Sequence, residues 1–189
     1  MPEKDFIRIG CYISKLLRHK PEIAGLKMDK NGWVKVSELI RAVNQNKAPL
    51  TMEELVYIVE NDNKQRYSFN KKKTLIRANQ GHSISVDVKP AECIPPAILW
   101  HGTAEKYVRS IEEIGIIAKT RLFVHLSSDY ATAVNVGRRH GSPVVYRVDT
   151  ARMSADGYKF FLSKNNVWLT KAVPAEYIKR TKPEDTDCN

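Results

Sequence analysis

Cysteine is scarce in this chain. Only Cys11, Cys93 and Cys188 occur, too few and too widely spaced for a disulfide framework or a zinc knuckle. No apolar run approaches the roughly 18 residues of a membrane span. The first ten residues, MPEKDFIRIG, lack an apolar signal core and carry two acidic side chains, which argues against a secretory leader. A reduced cytoplasmic compartment is therefore expected. There is no GxGxxG dinucleotide fingerprint and no GxxxxGK phosphate loop. No cysteine and histidine spacing supports a structural metal, and no carboxylate pair stands out as general acid and base.

Acidic charge is also short. Asp and Glu total 21 against 31 Lys and Arg, a formal net charge of +10. The excess is uneven: residues 1–90 hold 17 basic and 10 acidic residues, and residues 91–189 hold 14 and 11. A basic N-terminal half fits a polyanionic partner such as RNA or DNA, although the same charge would also serve solubility.

What is present reads as a globular α+β chain, with 42% hydrophobic and 28% charged residues. Phe6, Ile9, Ile13, Leu16 and Leu17 have helical spacing, and Pro21 closes that helix. Asp29-Lys30-Asn31-Gly32 is a turn signal, followed by a short strand at Trp33–Val36. Ser37 is a candidate cap for a helix from Glu38. Thr51 and Glu54 form a candidate capping box for a helix carrying Met52, Leu55, Val56 and Val59. Arg66–Phe69 and Thr74–Arg77 read as two strands joined by the basic turn Asn70–Lys73. Helix, short strand, two helices and a basic hairpin is the order of a winged helix, so residues 1–90 are expected to form a winged-helix-like lobe.

Residues 89–97 contain three prolines and read as a connector. Beyond it lie strand candidates at Ile98–Trp100, Val124–Leu126, Val144–Val148 and Val167–Leu169. Helices are expected after His101-Gly102-Thr103, ending at Gly115, and again from Ser128-Asp129. Gly137–Gly141 reads as a flexible basic loop. A second, strand-rich lobe over residues 91–181 and a polar tail over 182–189 complete the expected organisation.

Arginine and histidine supply the candidate chemistry. Arg18-His19 ends an amphipathic helix, Arg66 opens one hairpin strand and Arg77 closes the other. Gln80-Gly81-His82-Ser83 follows, and Arg138-Arg139-His140 lies between glycines. Guanidinium forks bind phosphate oxygens bidentately and imidazole adds a donor. A convergent set would hold a phosphorylated substrate, whereas each arginine alone reads as a solvated charge. His101-Gly102-Thr103 and His125-Leu126-Ser127 are strand ends where glycine would let a ligand approach the backbone.

These residues carry a resemblance. SKLLRHKP (14–21), DKNGWVKVSELI (29–40), NDNKQRYSF (61–69), IRANQGHS (76–83), LWHGTAE (99–105), VHLSSDYATAVNVGRRHG (124–141), MSADGYKFFLSKNNVWLT (153–170) and VPAEYI (173–178) closely resemble the NAD-dependent RNA 2'-phosphotransferases. The resemblance implies an N-terminal winged-helix-like RNA lobe and a C-terminal ADP-ribosyltransferase-like lobe that binds NAD. It implies a two-step reaction. An internal RNA 2'-phosphate attacks the anomeric carbon of the nicotinamide ribose and releases nicotinamide. The ribose 2''-hydroxyl then attacks the phosphorus, giving 2'-OH RNA and ADP-ribose 1'',2''-cyclic phosphate, with no metal required. The implied catalytic set is Arg18, His19, Arg66 and Arg139. His101, Gly102, Thr103, His125 and Ser127 are implied to bind NAD. Arg77, Asn79, Gln80 and His82 are placed with the substrate, either touching it or holding their loop. The implied partner is an RNA with an internal 2'-phosphate, tRNA-like as in tRNA splicing, and a monomer is expected. Two other readings remain: a related transfer of ADP-ribose to terminal nucleic-acid phosphates, and a winged-helix binder without catalysis.

Overall fold

Heptad-like spacing of Ile9, Ile13, Leu16 and Leu17 gives one helix a continuous apolar face, and all four side chains are fully buried. In the computed structural model, which describes residues 3–182, this helix is α1 (Glu3–Arg18). The chain divides into two compact units, Met1–Lys89 and Pro90–Asn189, each with its own apolar core. Together they make a mixed α+β chain with several small antiparallel sheets. The expected tail after Lys182 lies outside the described residues.

In the first unit a 3-10 turn at Pro21–Ala24 follows α1 and ends at Gly25, whose φ of +61° suits glycine. Then come β1 (Val34–Lys35), α2 (Val36–Asn46), α3 (Met52–Glu60), β2 (Tyr67–Phe69) and β3 (Leu75–Ala78). The three strands form one antiparallel sheet in the order β1-β3-β2. The capping box at α3 is present: Glu54 N donates to Thr51 Oγ1 at 3.2 Å, and Thr51 N donates to Glu54 Oε2 at 3.0 Å. The expected Ser37 cap is not used. Helix α2 starts at Val36 with Lys35 as an N-cap that makes no side-chain cap bond. Strand pairing determines this, because Val36 N donates to Thr74 O at 2.9 Å and the chain passes from ladder to helix without a gap. The basic hairpin turn is closed by Asn70, whose Oδ1 accepts from Thr74 N and Leu75 N at 2.8 and 3.0 Å.

The second unit contains β4 (Ala91–Glu92), β5 (Ile98–Ala104), α4 (Val108–Ile114), β6 (Ile116–Ile117), β7 (Val124–Leu126) and α5 (Tyr130–Arg138). It continues with β8 (Pro143–Asp149), α6 (Thr150–Ala155), β9 (Phe161–Leu162), β10 (Trp168–Thr170), β11 (Ala172–Val173) and β12 (Ile178–Thr181). Sheets of order β12-β8-β5, β4-β9-β10-β7 and β11-β6 result. Two expectations are corrected here. The proline-rich connector contains β4, which pairs with β9 through Ala91↔Leu162 and Glu92↔Phe161. The region read as a flexible loop begins inside a helix: α5 runs through Gly137 to Arg138, Arg139 is its C-cap in a right-handed helical conformation, and only the residues after it form the turn.

Helix α5 lies directly on β5. A Cβ on Gly102 would fall 1.7 Å from the Ala133 carbonyl oxygen, and one on Gly137 would fall 2.4 Å from the Thr103 oxygen. Both contacts are backbone, so neither can be relieved by a side-chain rotation. We therefore expect Gly102→Ala to destabilise the protein by about 3 kcal/mol. The control Gly25→Ala, which meets only conformational strain, should cost about 1 kcal/mol. Urea unfolding of both variants checks the ranking. Equal midpoints would mean that α5 can be displaced from β5 at little cost.

Candidate active site

Helix α1 delivers Arg18 at its last residue and His19 just beyond it. The segment Gly81–Ser83 closes on this end. Ser83 N donates to Arg18 O at 3.0 Å, and Ser83 Oγ lies 2.9 Å from His19 Nδ1. Gly81, at φ +86°, presents a bare backbone to the Arg18 guanidinium, and a Cβ there would stand 3.6 Å from Arg18 Cζ. His82 between them is only 2% exposed. Its Nε2 finds no hydrogen-bond partner among the described residues. Burial, then the positive charges of Arg18, His19 and Arg77, push His82 down to about 4. It is therefore neutral near pH 7 and adds no further cation to a basic cluster.

Arg66 stands immediately before β2. Its backbone N donates to Asp62 Oδ2 at 2.6 Å, and its guanidinium is ion-paired with the same, mostly buried carboxylate. Asn79 frames the other side. Its Nδ2 donates to Gln65 O and Tyr67 O at 2.6 and 3.2 Å, and its Oδ1 accepts from Ser68 Oγ at 2.8 Å. Asn79 N also donates to Arg66 O at 2.8 Å. With its amide occupied in this way, Asn79 fixes the chain around Arg66. Tyr67 donates from its hydroxyl to Gly10 O at 2.6 Å and meets Ser14 Oγ at 2.5 Å. Burial raises its phenol, opposed by the Ser14 bond and by the charges of Arg18 and Arg66. Both arginines are thus within electrostatic reach of one tyrosine.

Arg77 acts on the same His82 from beside Trp33. Its guanidinium lies 4.7 Å from the centre of the Trp33 ring and donates to Asn31 O at 3.3 Å. Gln80 is partly buried in the same closing segment.

In the second unit, His101 on β5 and His125 on β7 are brought together. Trp100 and Ser127 exchange both backbone hydrogen bonds, at 2.9 and 2.7 Å, which fixes β5 beside the end of β7. His101 Nδ1 is 3.1 Å from His125 O. A carbonyl only accepts, so Nδ1 carries the proton and Nε2 is an acceptor. Burial lowers the His101 pKa, keeping the ring neutral. Thr103 is buried, and the space above Gly102 is filled by α5. The glycine is therefore required for helix–strand contact on that side.

Arg121 was not singled out from sequence. Its guanidinium donates to His125 Nδ1 at 2.9 Å. Burial and then the charge of Arg139 lower its pKa, so the two guanidinium groups are electrostatic neighbours. The signal available was small: an arginine four residues before a candidate histidine, in a stretch without periodicity. Among the described residues, no group of three or more His, Cys, Asp or Glu side chains could hold a metal ion.

Comparison with known proteins places these residues in context. A family model described as RNA 2'-phosphotransferase, Tpt1 / KptA family, matches residues 4–172. A protein named "Probable RNA 2'-phosphotransferase" from Nostoc punctiforme is 48% identical over 180 residues, covering 95% of this chain and 99% of that one. Proteins of the same name from Fusobacterium nucleatum subsp. nucleatum and Streptomyces coelicolor are 49% and 41% identical. They cover 92% and 97% of this chain, and 97% and 100% of their own lengths. The resemblance read from the motifs is borne out.

The buried His82 makes stability depend on pH. Its folded value of about 4 lies below the ordinary 6.5, so the unfolded chain binds the proton more readily. The resulting stability is fully present above about pH 6.5 and is lost as pH falls toward 4. The loss is on the order of 3 kcal/mol. Denaturant midpoints at pH 7, 5 and 4 should fall less steeply for His82→Gln than for the natural protein. Parallel curves would show that His82 does not contribute to acid sensitivity.

Proposed function

Since this chain belongs to the RNA 2'-phosphotransferase, Tpt1 / KptA family, we propose that it moves an internal RNA 2'-phosphate to NAD, which is consumed as a second substrate. The first unit is read as a winged-helix-like lobe that takes the RNA, and the second as an ADP-ribosyltransferase-like lobe that takes NAD. The observation that carries this reading is the cationic set of the first unit. Arg18 and Arg66 both act electrostatically on Tyr67, and His19 is tethered by Ser83. A phosphate dianion is the substrate chemistry that such a set suits, through charge-assisted and bidentate hydrogen bonds. Asp62 orients Arg66, and Asn79 fixes the backbone on which it is mounted.

The donors of the second unit fit a dinucleotide. Arg121 and Arg139 are like charges held near each other, an arrangement that an intervening phosphoryl group would offset. His101 offers an acceptor at Nε2 and so suits a ribose hydroxyl better than a phosphate oxygen. NAD supplies an electrophilic anomeric carbon bearing a neutral leaving group.

In step one a 2'-phosphate oxygen forms the bond to that carbon, and the carbon–nitrogen bond breaks with its electron pair going to nicotinamide. Arg18, His19 and Arg66 offset the repulsion between two anionic substrates and aim the attacking oxygen. In step two the ribose 2''-oxygen bonds to phosphorus, and the bond from phosphorus to the RNA 2'-oxygen breaks. The hydroxyl proton ends on the RNA 2'-oxygen. Negative charge builds on the phosphoryl oxygens, where Arg121 and Arg139 would stabilise it.

The test of the reading is incubation with NAD and matched RNAs carrying a 2'-phosphate or a plain 2'-OH. Nicotinamide should be released only with the phosphorylated RNA, and equal release from both would sink the reading. Single-turnover gels then divide the roles. Arg121→Ala and Arg139→Ala should slow step two by roughly 10²–10³ and accumulate ADP-ribosylated RNA. Arg18→Ala and Arg66→Ala should depress nicotinamide release as well. Loss of activity in Arg121→Ala and Arg139→Ala with no intermediate at any time would place these residues in substrate positioning instead. RNA affinity should also fall with salt, by a slope of roughly −0.7 per neutralised phosphate, and Lys71→Ala/Lys72→Ala should flatten it.

A further inference from the structure

We propose that the cleft between α1 and α3 of the first unit seats a nucleobase of the RNA, next to the nucleotide phosphate held at Arg66. The proposal rests on the RNA-substrate reading above. The cleft encloses about 450 Å³ and is lined by Phe6, Gly10, Tyr57, Ile58, Arg66 and Tyr67, among others. That volume lies within the usual range for small-molecule sites and accommodates a nucleoside.

Three observations identify the occupant. The first is aromatic surface. Tyr57 is 51% exposed although it packs against Phe6 with ring centres 4.8 Å apart. A large half-exposed ring on a cleft wall offers a stacking face, which every base can use. The second is Gly10. Glycine inside a helix costs about 1 kcal/mol relative to alanine. Gly10 has no positive φ that would require it, and a Cβ would meet only Ile58, at 3.8 Å. Its effect is to keep the cleft floor low. The third is polarity. The apolar wall leads to Tyr67, Asn61 and the Arg66–Asp62 ion pair, and Tyr67 feels the charges of Arg18, Arg66 and Asp62. An apolar slot that ends at one guanidinium complements a nucleotide, with a flat base at one end and phosphate at the other. A second copy of this chain, or an apolar peptide, would use the wall but not the polar end at Arg66.

The test is binding of a short 2'-phosphorylated RNA without NAD, using abasic substitutions moved one nucleotide at a time around the phosphate. Tyr57→Leu should weaken the intact RNA by roughly 5- to 100-fold, and Tyr57→Phe, which keeps the ring, should bind within about 2-fold of the natural protein. At one abasic position the natural protein and Tyr57→Leu should bind alike, because the stacking partner is gone. An unchanged Tyr57→Leu penalty on every abasic RNA overturns the proposal. So does a Tyr57→Leu variant that binds intact RNA normally but dissociates a dimer seen by sedimentation. A separate arm uses 2'-OH RNA. Loss of all preference for the phosphorylated RNA would refute the phosphate reading, while the abasic scan would still report on the cleft.

Discussion

Positive charges that repel one another are held together at both candidate centres, and much of the surrounding structure manages that repulsion. In the first unit, Arg18 and Arg66 act on a common tyrosine. Asp62 offsets one of them directly. His82, enclosed beside the other, is kept neutral by burial and by the cations themselves. In the second unit Arg121 feels Arg139 and donates to the uncharged acceptor side of His125. Charges placed in this way lower the stability of the empty protein and favour whatever anion relieves them.

Holding cations at fixed positions requires a scaffold that does not yield, and here the rigid contacts are backbone to backbone. Arg139 caps α5, and α5 is pressed on β5 with no clearance at Gly102 or Gly137. Strand β5 is in turn bridged at Trp100 to Ser127, at the end of β7 that carries His125. The line from Arg139 to His125 thus passes through contacts that rotamer changes cannot loosen. On the first unit the equivalent device is the Gly81–Ser83 segment, tied to the Arg18 carbonyl and anchored by the buried His82 ring.

The features legible in the sequence were those with a local signature. The apolar spacing of α1, the Thr51 capping box and the basic hairpin are all where the pattern placed them. Two-residue strands such as β4 and β9 have no period to read and exist because they pair with each other. Helix α2 starts early because Val36 is held by Thr74, a residue 38 positions away. Glycines at 137 and 141 suggested a loop, but Gly137 is required by helix packing against Thr103. Arg121 lacked any local signature, since its importance comes from a bond to His125 and from proximity to Arg139. For His82 the sequence left open whether it touches substrate or holds its loop, and only the fold reveals that it is buried.

Two histidines illustrate how partner type, rather than residue type, assigns chemistry. His101 Nδ1 meets a carbonyl oxygen, which accepts and never donates. Its tautomer is fixed by that contact, burial lowers its pKa, and the neutral ring leaves Nε2 as an acceptor. His19 Nδ1 meets the Ser83 hydroxyl, which can rotate to donate or accept. That bond survives in either tautomer and in the protonated ring. Nε2 of His19 can thus serve as donor or as acceptor without the ring losing its anchor. A carbonyl in place of the serine hydroxyl would orient the ring equally well but would fix Nε2 of the neutral form as an acceptor. The serine is the partner that leaves both roles open.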